Sequence, residues 1–247
     1  MFMDAKEQLK ELILKYKQYK DKKNSEGLSE EETRIWINHL LEIFNWDILN
    51  TNQVKQEKIV DKNQKNKLAK INSTHTKPDY SLMNGNVVKV YLDAKKVDVD
   101  IFKNKETAFQ VRSYGWSAGL PCSFLTNFEQ FVIFDTRFIP NKKDPAHTGA
   151  IQISMDEYIE KFDILAKHLN RTEVYRNNLK KIYDNNKFDG TQTVDELFNK
   201  LLSEFRIQLA NNMYQQNKTF LTEEDMNYYV QIILDRIVFI RVCEAKG

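Results

Sequence analysis

The stretch that decides the fold is Pro78-Asp79-Tyr80-Ser81-Leu82-Met83-Asn84-Gly85-Asn86-Val87-Val88-Lys89-Val90-Tyr91-Leu92-Asp93-Ala94-Lys95. Its second half alternates with period two. Val88, Val90, Leu92 and Ala94 share one face of a strand, and Lys89, Tyr91, Asp93 and Lys95 share the other. Asn84-Gly85 is a hairpin turn signal that joins residues 79–83 to this strand. The apolar face is expected to pack on helices, leaving Tyr91, Asp93 and Lys95 on an open face. Asp79 and Asp93 are oxygen ligands of the kind Mg²⁺ takes. A metal held there polarises a phosphoryl oxygen and acidifies bound water, while the Lys95 ammonium offsets developing negative charge. The residue set suits hydrolysis of a phosphodiester.

One geometric condition follows. A two-residue loop at 84–85 would set Asp79 opposite Val90, on the face away from Asp93, because opposed residues share a face. A bulge or a longer loop that shifts the register by one residue is therefore predicted between Asp79 and Asp93.

Upstream, residues 3–20 have Leu9, Leu12, Ile13 and Tyr16 at helical spacing. Ser29 and Glu32 form a capping box for a helix running through Ile35, Trp36, Leu40, Ile43 and Phe44. Residues 51–76 are rich in lysine and asparagine without a clear period and are expected to be a long loop or short strand. Downstream, 105–118 is helical, and Cys122–Thr126 and Gln130–Asp135 are two short buried strands. The order is α/β, with a mixed sheet flanked by helices. After about residue 150 the strand signals stop. Ser154 with Glu157, Thr193 with Glu196, and Thr222 with Asp225 cap successive helices, another is expected from Thr172 to Tyr183, and 185–192 is a polar linker. The expected division is a site-bearing domain over 1–150 and an all-α subdomain over 151–247.

The chain has 247 residues, 41% hydrophobic and 29% charged, with a formal net charge of only +2. The charge is unevenly placed. Residues 53–105 hold twelve lysines against six acids, which is either a solvated lysine-rich loop or a phosphate-binding surface. No apolar run is long enough to span a membrane, no signal-peptide pattern stands at the start, and Cys122 and Cys243 have no disulfide or metal spacing. A cytoplasmic setting is expected. The four histidines are scattered, and no phosphate loop or nucleophile elbow is present.

Asp79, Asp93 and Lys95 together resemble the signature of the PD-(D/E)xK nuclease superfamily. Gln110-Val-Arg-Ser-Tyr114, in the helix after the strand, is similar to the Gln-x-x-x-Tyr motif of type I restriction subunits and type IIG restriction–modification enzymes. Phe124-Leu-Thr-Asn127 and Phe131-Val-Ile-Phe-Asp135 resemble the core strands of those domains, joined by a Thr-Asn turn. Glu42 stands where the leading helix of these families supplies a further acid.

The resemblance implies a restriction-endonuclease-like α/β fold and cleavage of double-stranded DNA with Mg²⁺, or Mn²⁺ in its place. Asp79, Asp93 and Glu42 would hold the metal, Lys95 would activate the attacking water, and Gln110 and Tyr114, with Lys96 nearby, would contact DNA or support the site. Asp98 and Asp100 are expected to be solvated. The segment Ile233-Leu-Asp-Arg-Ile-Val-Phe-Ile-Arg-Val-Cys-Glu-Ala-Lys-Gly247 resembles the helix that leads from nuclease to methyltransferase in type IIG enzymes. That implies a longer protein with an adenine methyltransferase and a target-recognition domain downstream. S-adenosylmethionine is not expected to bind here, since the chain lacks Asn-Pro-Pro-Tyr and a glycine-rich cofactor loop. Double-strand cleavage would need a transient dimer or successive nicks. The alternatives are a non-cleaving DNA-binding module on the same fold, and a helical half that serves protein interaction.

Overall fold

The structure, a computed structural model, describes residues 2–23, 28–176, 179, 194–216 and 222–246. Six strands form one mixed sheet in sequence order: β1 (Val54–Gln56), β2 (Tyr80–Asn84), β3 (Val87–Ala94), β4 (Cys122–Thr126), β5 (Gln130–Asp135) and β6 (Ala150–Ser154). All neighbours are antiparallel except β3 and β4, which are parallel. A parallel pair needs a crossover, and α4 (Lys105–Ala118) supplies it.

The helices cover both faces of the sheet. On one side α1 (Phe2–Lys22), α2 (Glu30–Ile43), α5 (Phe162–Leu169) and α6 (Arg171–Tyr175) share a core with Leu82, Val90, Leu92, Phe124 and Ile133. On the other, α4 packs on Leu125, Val132 and Phe134, while Leu68 of α3 (Lys62–Lys70) meets Tyr91 and Tyr114. The mixed sheet flanked by helices is the α/β layout expected from the sequence.

The predicted register shift is present. Gly85-Asn86, rather than Asn84-Gly85, forms the hairpin loop, with Gly85 at φ +60 where glycine carries no steric cost. That displacement alone keeps the wrong parity. The decisive step is a bulge at Lys89: Leu82 pairs with Val90, but Met83 pairs with Val88. Tyr80 then pairs with Leu92, and the same register continued one step sets Asp79 beside Asp93. The bulge also corrects one face assignment, because Val88 packs with the Tyr91 cluster rather than with Val90 and Leu92.

Three other expectations are corrected. Residues 51–76 hold a short strand, β1, as expected, but also a nine-residue helix, α3, opened by an Asp61/Gln64 capping box, of which only Gln64 and Leu68 turn inward. This helix and α4 cover the face that was expected to be open, so Asp93 is only 2% exposed. A sixth strand follows residue 149, pairing antiparallel with β5.

The domain boundary also moves. The compact units are Met1–Thr191 and Gln192–Gly247, so the segment after 150 continues the first unit. The reason is packing: the Trp46 indole donates to the Leu169 carbonyl at 2.7 Å, Arg171 N–H to the Phe44 carbonyl, and the Tyr175 hydroxyl to the Met83 carbonyl. Ser154/Glu157 makes its capping box over a short 3₁₀ turn, and α6 stops at Tyr175. The rest of the helix expected to Tyr183, the 185–192 linker and the Thr193 cap lie outside the described residues, apart from Leu179, which is buried in the first core.

The second unit holds α7 (Val194–Gln216) and α8 (Glu223–Lys246), with Thr222 and Asp225 capping α8. Val230 and Leu234 are buried, whereas Ile237 and Ile240 are exposed, as are Tyr228 and Phe239. Among the described residues no helix is long and apolar enough to cross a membrane.

Gly115 fixes how closely α4 approaches the strands. A Cβ there would lie 2.5–2.7 Å from Oγ1, Cγ2 and Cβ of Thr136, whose hydroxyl is pinned to the Leu120 carbonyl at 2.7 Å. Gly115→Ala is expected to destabilise the first unit by about 1–3 kcal/mol, since an overpacked interior forces backbone shifts. Urea unfolding monitored by tryptophan fluorescence measures this, and an unchanged midpoint would refute it.

Candidate active site

Asp79 precedes β2 and Asp93 lies near the end of β3, and each acid has a fixed seat. The Ala94 N–H donates to Asp79 Oδ2 at 2.7 Å, and Arg34 Nη2 lies 2.5 Å from Asp79 Oδ1. Lys95 Nζ donates to Asp93 Oδ2 at 2.5 Å, with the lysine side chain 21% exposed. The sheet thus brings Asp79, Asp93 and Lys95 together.

Neighbouring elements hold this end of β3 in place. Lys95 N–H donates to the Thr126 carbonyl, extending the β3–β4 pairing past Ala94. Asn127 of the Thr-Asn turn donates to the carbonyls of Val97 and Val99, tying down the loop that follows Lys95. The turn itself is closed by Thr126 Oγ1 accepting from Phe128 N–H and Asn127 Oδ1 from Gln130 N–H.

Gln110 and Tyr114, one turn apart on α4, are joined by a 3.2 Å hydrogen bond from Gln110 Nε2 to the Tyr114 hydroxyl. Burial, and then the nearby negative charge of Asp93, push the Tyr114 phenol pKa up. The phenol therefore stays protonated beside the acids, and Gln110 is held to it by that bond. Tyr91 stacks at a tilt against Tyr114 and receives Gln64 Nε2 at 3.0 Å. An aromatic wall thereby shields the acids on the α3 side.

Two predicted residues are not brought in. Glu42 is 53% exposed on its side chain and pairs with His39 Nδ1 at 3.0 Å, in a groove against Gln8, Glu11 and Leu12 of α1. Lys96 is exposed on the loop after β3 with no side-chain partner among the described residues. Asp98 and Asp100 are exposed as expected, Asp100 pairing with Lys103.

One residue was missed altogether. Arg34 pairs with Asp79, with Glu30 at 3.1 Å and with Glu57 at 3.4 Å, and its Nε is buried without a partner. Only the i, i+4 spacing to Glu30 was visible in the sequence. The contact to Asp79 spans 45 positions.

Among the described residues no cluster of three or more His, Cys, Asp or Glu side chains forms a cage for a metal. Two carboxylates nevertheless fit Mg²⁺, which uses one or two protein carboxylates and completes its shell with water and phosphate oxygens. The electrostatics of the pair point the same way. Burial, and then repulsion from Asp93, raise the Asp79 pKa to about 6, despite the Ala94 amide, Arg34 and Lys95. A group of this kind is relieved by added positive charge.

No protein-family model matches the chain, and no solved structure matches it. Over 99% of its length the chain is 35% identical to "Type II restriction enzyme and methyltransferase RM.Eco57I" of Escherichia coli. The chain spans about a quarter of that protein's length.

The raised Asp79 pKa has a consequence for stability. Folded protein holds this proton more tightly than unfolded chain, whose carboxyl titrates near 4. Stability of the metal-free protein therefore falls as pH rises from about 4 through about 6, then levels off. Asp79→Asn keeps an acceptor for the Ala94 amide and removes the charge. In EDTA it is expected to be more stable than wild type at pH 7.5, by on the order of 2 kcal/mol, and to lose that advantage near pH 4. Urea melts at both values test this, and a variant less stable at pH 7.5 would contradict it.

Proposed function

We propose that this chain is the Mg²⁺-dependent endonuclease part of a restriction–modification enzyme, hydrolysing phosphodiester bonds of double-stranded DNA. The observation that carries the reading is the convergence of Asp79, Asp93 and Lys95 at the end of β3, with the Ala94 amide orienting Asp79. In this reading Asp79 and Asp93 hold the cation, in the PD-(D/E)xK manner, and Glu42 has no part. The cation supplies Lewis acidity toward the phosphate and lowers the pKa of bound water.

Lys95, already within hydrogen-bond reach of Asp93, offsets charge on the phosphate oxygens and orients the attacking water. Gln110 and Tyr114 hold the α4 side of the pocket, keeping it partly closed to bulk water. The name of the E. coli relative, which couples restriction with methylation, supports a whole protein of type IIG organisation with methyltransferase and recognition domains beyond this part. The exposed apolar side chains of α8 suit a connector to such domains.

The test is plasmid cleavage in Mg²⁺ or Mn²⁺ by wild type and Lys95→Ala, using the longer protein if this chain alone does not cut. Cleavage is expected to fall at least ~100-fold in the variant, as for removal of one charge-stabilising group. Equal cutting by both proteins would refute the assignment. Binding without cutting in either would favour the DNA-binding alternative.

The basic segment upstream of the site supports DNA as the substrate. Lys62, Lys65, Lys67 and Lys70 on α3 are exposed, the helix carries no acid, and none of the four has an ionic partner among the described residues. Because α3 packs against Tyr91 and Tyr114, these ammonium groups flank the same sheet face as Asp93. Changing all four to glutamine is expected to flatten the salt dependence of DNA binding. The slope of log K against log salt should drop by ~0.9 for each lysine that neutralises a phosphate. Fluorescence anisotropy between 50 and 200 mM salt measures it; an unchanged slope would remove α3 from the DNA surface.

A further inference from the structure

We infer that Arg34 is an internal competitor for the metal, holding Asp79 until a divalent cation displaces it, with Glu30 and Glu57 as the seat it moves to. The inference rests on the metal-site reading above and adds a residue that the sequence motif does not contain. Its basis is the geometry around Asp79. One carboxylate oxygen is committed to the Ala94 amide at 2.7 Å, and the other faces Arg34 Nη2 at 2.5 Å. A cation binding through that second oxygen is repelled at short range by the guanidinium already held there, so the two compete for Asp79.

The guanidinium has somewhere to go. Glu30 lies 3.1 Å from the same Nη2, and Glu57 lies 3.4 Å from Nη1. Both glutamates are more exposed than Asp79, and Glu57 is itself held by Lys77 at 2.5 Å. Arg34 can therefore release Asp79 and remain paired at the rim. Its Nε is buried with no acceptor among the described residues.

The arrangement makes metal loading conditional. Without substrate, Arg34 neutralises the buried acid and weakens binding of a free cation. A phosphate arriving at the site offers the guanidinium a bidentate partner and frees Asp79 for the cation. Metal and DNA then bind with positive coupling.

The test is Mn²⁺ binding by calorimetry in the absence of DNA, with melting temperatures recorded in EDTA and in Mn²⁺. Wild type, Arg34→Gln, Asp93→Ala and the Glu30→Gln/Glu57→Gln pair are compared. Arg34→Gln is expected to bind Mn²⁺ ~10-fold more tightly than wild type, within the usual range of coupling between two competing ligands. Mn²⁺ should also raise its melting temperature more than that of wild type. The glutamate pair, on exposed side chains, should bind Mn²⁺ more weakly than wild type, and should have less effect when combined with Arg34→Gln. Unchanged or weaker binding by Arg34→Gln, with wild-type binding still lost in Asp93→Ala, would overturn the competitor role and leave the metal site standing. If Arg34→Gln does not fold, an unchanged Mn²⁺ affinity in the glutamate pair overturns the competitor role. If wild type binds Mn²⁺ no better than Asp93→Ala, both fall together.

Discussion

The site depends on a single extra residue in one strand. Side chains on a strand alternate, so the parity of the β2–β3 register decides whether Asp79 faces Asp93 or the opposite core. The bulge at Lys89 supplies the one-residue shift and puts the two acids side by side. Everything else at the site is built on that juxtaposition. The Ala94 amide can reach Asp79, and the Tyr114 phenol sits within the field of both acids. A regular hairpin would have turned the Asp79 carboxyl to the face of Val90 and Leu92.

Two carboxylates so placed are a liability for folding. The protein manages it by pairing each acid with one cationic side chain, Arg34 for Asp79 and Lys95 for Asp93. The compensation is incomplete, because burial and mutual repulsion still outweigh the attractive contacts at Asp79. Replacing the pair with apolar residues would serve stability better. Uncompensated charge of this kind at a buried spot suits a site that receives positive charge. The Thr-Asn turn has a related task. It does no chemistry, but by holding the Val97 and Val99 carbonyls it keeps Lys95 from drifting with its loop.

Much of this was legible in one dimension. The period-two run, the Ser29/Glu32, Ser154/Glu157 and Thr222/Asp225 caps, the need for a register shift and the acid–acid–lysine grouping all follow from short-range spacing. What escaped has physical causes. Helix α3 was hidden because only Gln64 and Leu68 turn inward, too few apolar positions to show a period. Missing α3 led directly to the mistaken open face. Strand β6 owes its existence to pairing with β5 rather than to its own pattern, and only part of its surface is buried. Glu42 matched a motif position, but exact helical phase decides where a side chain points. Its phase takes it toward His39 and α1.

Arg34 shows the limit most clearly, and it also alters how the acid–acid–lysine motif is understood. Read along the chain, the motif is three residues. In the folded protein it is a charge balance among Asp79, Asp93, Lys95 and Arg34, with Glu30 and Glu57 at its edge. A motif search registers the ligands because their spacing is local. It cannot register the counter-ion, which arrives from a helix 45 positions away through tertiary packing of α2. Yet the affinity of such a site for a cation is set as much by what must be displaced as by what does the binding. Two chains with the same three residues can therefore differ widely in how readily they take up metal. On the proposed reading, that difference resides in Arg34, a residue outside the motif.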